Sequence, residues 1–120
     1  NKTCYYTGKR LKGNIKIMLE VINLRDIEYL DTINKKFIFD NEQSSLTLLA
    51  FKAGMERTLH TDEKDEVAQI IEGVADVTVG KDVHRLKAGE MIVMPARVPH
   101  GLKALEDTKM LLLRPKHTHN

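Results

Sequence analysis

His60 and His100 are the side chains in this chain best suited to chemistry. His60 lies in Gly54-Met-Glu-Arg-Thr-Leu-His60-Thr-Asp62-Glu-Lys-Asp65-Glu66, a stretch closed by Gly73. His100 ends Gly89-Glu-Met-Ile-Val-Met-Pro95-Ala-Arg97-Val-Pro99-His100. Each histidine therefore belongs to a strand pair punctuated by glycine or proline. Two imidazoles and one carboxylate converging on a point form a ligand set for a divalent metal. Distant side chains meet in this way when strands close into a barrel and share one inner wall.

The rest of the chain supplies such strands. Lys36–Phe39, Ser45–Phe51, Val67–Ile71, Ala75–Val79, Val83–Leu86, Met91–Met94 and Met110–Leu113 are short apolar or alternating runs. Turn signals separate them at Glu72-Gly73, Gly80-Lys81-Asp82 and Ala88-Gly89. Pro95 and Pro99 fence a loop before His100. Even spacing of short strands predicts an all-β sandwich or barrel. Leu24, Ile27 and Leu30 follow Asn23 at helical spacing, which predicts a short N-terminal helical turn capped by Asn23. Leu49, Phe51, Ile70, Met91, Val93, Leu111 and Leu113 are expected to line the barrel. Runs that are apolar on both faces also require a second cover, from another layer or from a partner subunit.

With 120 residues, the length suits one domain. Residues 1–17 are polar and basic, and read either as a leader before Met18 or as extra strands; 18–120 read as the single domain. A net charge of +2 gives no ground for a nucleic acid or a membrane surface as partner. The basic clusters Lys9-Arg10-Leu-Lys12 and Lys35-Lys36 are short and read as solvated surface. Cys4 is the sole cysteine, so no internal disulfide forms. With no apolar run of about 18–20 residues, this predicts a cytoplasmic protein.

The spacing resembles the cupin superfamily. Gly54, five residues, His60, Asp62 two positions on, then Glu66 after three residues and Gly73 after six follow that family's first motif, with Asp62 in place of its second His. Gly89, five residues, Pro95 and then His100 follow its second motif, with Arg97 in place of a Gly and Ala104 in place of an Asn. Fifteen residues separate the motifs, as in small bacterial members. Arg85–Ala96 and Pro99–Ala104 also resemble the small, single-domain, conserved-barrel (cupin-2) type.

The resemblance implies a double-stranded β-helix, or jelly-roll, barrel. Carried over residue by residue, it implies metal ligation by His60, Glu66 and His100. Asp62 shares the strand parity of His60 and is a candidate further ligand. Fe, Mn, Ni and Zn all suit such a set. Small cupins are commonly dimers, so a homodimer is implied as well.

Each residue also has a plainer reading. His60 and His100 serve equally as core or rim histidines held by neighbours. Asp62, Asp65 and Glu66 sit in an acidic run of the kind usually found in a solvated loop. Arg97 either meets an anionic ligand at the barrel mouth or is surface only. His84 reads as exterior, and His117 and His119 as tail residues able to collect stray metal.

Two functions stay open from sequence alone. One is a module that binds a small molecule, with Arg97, Met91 and Phe51 among its contacts and a divalent metal held by two His and a carboxylate. The alternative is a metal-dependent enzyme, of dioxygenase or isomerase type, acting on a small oxygenated substrate. A purely oligomerising module has the least support, because scaffolding does not need histidines at both motif positions.

Overall fold

The structure is a computed structural model that describes residues 21–116 and the backbone of Cys4–Tyr6. The ten strands are β1 (Cys4–Tyr6), β2 (Asn34–Asp40), β3 (Ser44–Phe51), β4 (Glu56–His60), β5 (Glu66–Glu72), β6 (Val74–Val79), β7 (Asp82–Lys87), β8 (Met91–Met94), β9 (His100–Ala104) and β10 (Thr108–Pro115). They form a six-stranded sheet in the order β1-β2-β3-β10-β5-β8 and a four-stranded sheet in the order β4-β9-β6-β7. β1 runs parallel to β2, and every other pairing is antiparallel. The all-β jelly-roll barrel expected from the sequence is the architecture found. The leader-or-strands reading of 1–17 otherwise falls outside the described residues, as does Met18. Among the described residues no helix is long and apolar enough to cross a membrane.

The two sheets close on one core, to which Leu49, Phe51, Ile70, Val77, Leu102 and Met110 contribute. Ala75 and Val77 are fully buried there, and Val79 packs partly against them, as their strict alternation predicts. A second apolar cluster forms on the outer face of the larger sheet. There Leu48 and Ala50 of β3 meet Ile38 of β2 and Ile27. Ile22, Leu24 and Tyr29 pack on the same cluster. The predicted turn is a single 3-10 turn, Leu24–Asp26, with Asn23 Oδ1 accepting a hydrogen bond from Arg25 N at 3.0 Å. It ends because Ile27 is already extended. This segment supplies part of the cover that the doubly apolar β3 needs.

A polar staple fixes that cover. Tyr29 Oη donates to Glu72 Oε2 at 2.7 Å. The Lys109 ammonium donates to Arg25 O at 2.6 Å, lies 3.4 Å from Glu72, and sits 4.9 Å from the Tyr29 ring centre. Burial comes first, then the Glu72 hydrogen bond, in pushing the Tyr29 phenol pKa above its ordinary range.

Several expected lining residues fall elsewhere. Met91, Val93 and Leu113 are 55%, 48% and 36% exposed, and Leu111 packs on the outer cluster. The inward positions are Ile92, Met94, Met110 and Leu112. Met91–Met94 and Met110–Leu113 are apolar at every position, so they carry no alternation from which a face can be read. Pairing decides the face instead. Glu66 lies opposite Met94, and Ala68 opposite Ile92, so these four share the inner wall.

Candidate metal centre

Strand β4 enters the site through an irregular pairing. Arg57 pairs with Leu102 and His60 pairs with His100, so three steps along β4 match two along β9. One extra residue in β4 makes a bulge. Gly101 lies opposite it, and a Cβ there would come within 2.9 Å of Arg57 O and 3.3 Å of Leu59 N. Only a residue without a side chain lets the bulged backbone approach so closely. The bulge also resets parity. Arg57 and His60 are three apart, yet both face the interior, while Leu59 is turned out.

The facing sheet supplies Glu66, the first residue of β5. The β8–β9 loop brings His100 to it and is held by the acidic run. Asp65 Oδ1 accepts from Ala96 N at 2.8 Å, and Asp62 O accepts from Arg97 N at 2.7 Å. Part of that run is therefore a clasp as well as a solvated loop.

His60, Glu66 and His100 meet. Their ring centres and donors are close: the two imidazoles are 4.3 Å apart at 66°, and one ligand atom from each of the three residues falls within 4.8 Å of the others. Glu66 is 1% exposed and His100 is 2% exposed. His100 Nε2 stands 3.1 Å from Glu66 Oε2, and its Nδ1 stands 3.1 Å from Val98 O. His60 Nδ1 lies 3.3 Å from Thr58 O. With each Nδ1–H donating to a backbone carbonyl, each Nε2 is left as the ligating nitrogen, the arrangement usual for metal-bound histidine.

The His100 ring is thus flanked by acceptors at both nitrogens. A neutral imidazole has one donor and cannot satisfy both. A cation shared by Nε2 and the carboxylate resolves the conflict. A buried carboxylate makes the same demand for positive charge. The residues present therefore fit a divalent metal.

Asp62 is outside this group. β4 ends at His60, so strand parity does not extend to Asp62. Its carboxylate pairs with Arg114 Nη2 at 2.5 Å. Burial pushes the Asp62 pKa up, but the Arg114 hydrogen bond and charge outweigh it and hold the group below the usual carboxylate range. Arg114 Nε also lies 3.7 Å from Glu66 Oε1.

Arg97 is exposed, with positive φ, and its guanidinium lies 3.9 Å from Glu63. Phe51 is fully buried in the core and Met91 faces outward; none of these three lines the cavity at the histidines. That cavity is walled by Arg57, Met94, Met110 and Leu112 together with the ligand set. The cavity opens to solvent and leaves about 20 Å³, room for a water-sized occupant beside the ligand set.

Arg57 is the residue that sequence reasoning missed. Simple alternation from His60 turns it outward, and the only signal against this is Gly101 across the ladder. Its guanidinium is pushed to lower pKa chiefly by burial, against the attraction of Glu66 and with the repulsion of Arg114.

Residues 47–114 match the family model of the cupin domain. The fold is also similar to solved bacterial structures. A conserved protein of unknown function from Streptococcus pyogenes is 27% identical over 88% of this chain and 95% of its own, with a TM-score of 0.78. A cupin 2 conserved barrel domain protein from Leptotrichia buccalis is 26% identical over 78% of this chain and 46% of its own, with a TM-score of 0.74. A cupin superfamily protein from Desulfitobacterium hafniense, 18% identical over 78% of this chain and 87% of its own with a TM-score of 0.75, shares the fold. No curated protein matches the chain.

Proposed function

The chain belongs to the cupin family, and from that premise we propose that it binds a divalent metal through His60, Glu66 and His100 and presents it to a small molecule at the barrel mouth. The observation that carries this reading is the His100 ring held between Glu66 Oε2 and Val98 O. A cation placed between Nε2 and the carboxylate would complete both, and His60 stands close enough to share it. A metal bound there supplies a Lewis-acid centre with open positions for ligand. His60, Glu66 and His100 hold it, while Met94, Met110 and Leu112 keep bulk water from the inner side.

The test uses full-length protein carrying His117→Ala and His119→Ala, so that the tail cannot contribute metal. Fe, Mn, Ni and Zn are each added and the excess removed. One equivalent retained, and lost in His60→Ala and in His100→Ala, is the expected result. Retention that survives both substitutions defeats the reading.

A homodimer forms part of the same proposal. Its support is the apolar outer face of the larger sheet, where Met91 and Val93 of the edge strand β8 and Leu113 of β10 are exposed. Light scattering after gel filtration is expected to give twice the chain mass, reduced to one chain mass by Met91→Lys with Val93→Lys. A monomeric parent protein rejects the dimer.

A further inference from the structure

We infer that Arg114, anchored by Asp62, is a positioning residue: it holds one oxygen of Glu66, so that this carboxylate meets a metal through the other oxygen alone. The inference rests on the metal-site reading and deepens it, because it governs how much of the metal stays open for a ligand.

Leu112 lies opposite Ala68 across the β10–β5 ladder, and both face the core. Arg114 is two residues beyond Leu112 and Glu66 two residues before Ala68, so the same parity turns both toward the site. Arg114 Nε stands 3.7 Å from Glu66 Oε1, while Oε2 stands 3.1 Å from His100 Nε2. The carboxylate is thus divided, with one oxygen toward a cation and the other toward the imidazole. Glu66 is buried, so solvent competes little for either oxygen.

Arg114 is itself fixed from its far side. Its Nη2 donates to Asp62 Oδ2 at 2.5 Å. Asp62 Oδ1 accepts from Glu63 N at 2.7 Å, and Asp62 O accepts from Arg97 N at 2.7 Å. Both carboxylate oxygens of Asp62 and its carbonyl are therefore engaged in holding Arg114 and the loops around the site. Where the first cupin motif has a second histidine, this chain has an aspartate that holds a cation. Two imidazoles and one carboxylate oxygen are three donors, which leave a metal open to an added ligand. A Glu66 chelating through both oxygens would close one of the open positions.

The experiment is difference infrared spectroscopy on adding Zn²⁺ to the full chain carrying His117→Ala and His119→Ala. The gap between the antisymmetric and symmetric carboxylate stretches is wide for ligation by one oxygen and narrow for chelation. The parent is expected to show the wide gap, and Glu66→Gln to lack the signal. Arg114→Met should narrow the gap, and Arg114→Lys should keep it wide. Asp62→Asn, which leaves Arg114 on a weaker anchor, should show both forms, and it decides the matter if Arg114→Met does not fold. Adding Asp62→Asn to Arg114→Met should change nothing further, because Glu66 and not the freed Asp62 is the chelating group. A merely structural arginine would lower the melting temperature in Arg114→Met and leave the gap wide.

A narrow gap in the parent, or a wide one in Arg114→Met, overturns the inference and leaves the metal reading standing. A narrow gap in Arg114→Met that widens when Asp62→Asn is added also overturns it. Should the parent retain no Zn²⁺, the metal reading fails, and nitrogen NMR of His100 in metal-free protein decides the inference. An Nε2 resonance shifted in Arg114→Met and restored in Arg114→Lys then supports the hold on Glu66, and any other pattern rejects it.

Discussion

Glu66 and Glu72 stand at the two ends of the same strand, and their surroundings have been settled in opposite ways. Glu72 accepts a hydrogen bond from Tyr29 and lies beside Lys109. Lys109 is itself satisfied by Arg25 O and the Tyr29 ring. Every charge in that group has a local answer, and its work is to fasten the N-terminal segment to the outer face of the sheet. Glu66 is deeper and is asked to serve His100 and Arg114 together, while its charge also attracts Arg57. Polar groups that complete one another make a staple. Polar groups that share one carboxylate in a buried place are arranged to receive a further partner. The same residue type, six positions apart on one strand, is thus structural at one end and poised for ligand at the other.

The largest effect should come from exchanging the two glutamates for glutamine. Glu66→Gln removes the charged ligand and should weaken metal binding by more than about 100-fold. The stabilisation by metal, about 4 kcal/mol when metal is present at a thousandfold the parent's Kd, should fall to about 1.4 kcal/mol or less. Melting curves with and without chelator measure this directly. Glu72→Gln should keep the metal-dependent shift in full and lose about 1 kcal/mol of stability in metal-free protein. Equal losses of metal from both variants would erase the distinction between the two ends.

Next in size is the bulge. Gly101→Ala would place a Cβ 2.9 Å from Arg57 O, a contact the backbone must relieve by moving. A cost of about 1–3 kcal/mol is expected in urea unfolding. Because β4 carries both Arg57 and His60, metal affinity should fall along with stability. Unchanged affinity would mean that the ligand geometry does not depend on the close approach at Gly101.

This bulge also marks where the sequence stopped being legible. Glycines and prolines delimited most strands, and the strict alternation of Ala75–Val79 named its buried face correctly. The motif spacing brought His60, Glu66 and His100 to one point although forty positions separate the two histidines. Three kinds of information were missing. β4 and β9, Glu-Arg-Thr-Leu-His and His-Gly-Leu-Lys-Ala, are too polar and too weakly alternating to be delimited as strands by pattern. Met91–Met94 and Met110–Leu113 are apolar throughout, so the choice of face was made by partners across the ladder and Met91, Val93 and Leu113 were turned out. Parity along β4 was broken by one added residue, which hid Arg57. All three failures concern pairing, and pairing is a property of two strands that a reading along one strand does not contain.

On the staple side, Lys109→Met keeps the apolar stem and removes the ammonium from Arg25 O and Glu72. A loss of about 1–2 kcal/mol in the urea midpoint is expected, with metal affinity unchanged. Weakened metal binding in this variant would show that the outer cover and the inner wall are coupled through β5 and β10.

The smallest effect is a dependence on pH, and its sign follows from which state holds the proton. The Tyr29 hydrogen bond, then Lys109 and Arg25, outweigh the opposing effect of burial and hold the Glu72 carboxyl below the ordinary range. Its contribution to stability is complete above the unfolded carboxylate pKa of about 4.3 and is lost as the pH falls from there through the lower folded value. Tyr29 behaves in the opposite sense. Its phenol is raised in the fold, so its contribution is complete below the unfolded pKa of about 10 and is lost as the pH rises through the folded value. One hydrogen bond therefore adds a fall in stability at both extremes of pH. Tyr29→Phe should remove the alkaline fall due to this residue and soften the acid one, leaving the share that the Asp62–Arg114 pair contributes. The acid change should stay below about 1 kcal/mol, because Glu72 is partly exposed and solvent screens the pair. Stability measured from pH 3 to pH 11 checks it, and identical profiles for Tyr29→Phe and the parent would mean that the Tyr29–Glu72 bond does not persist in solution.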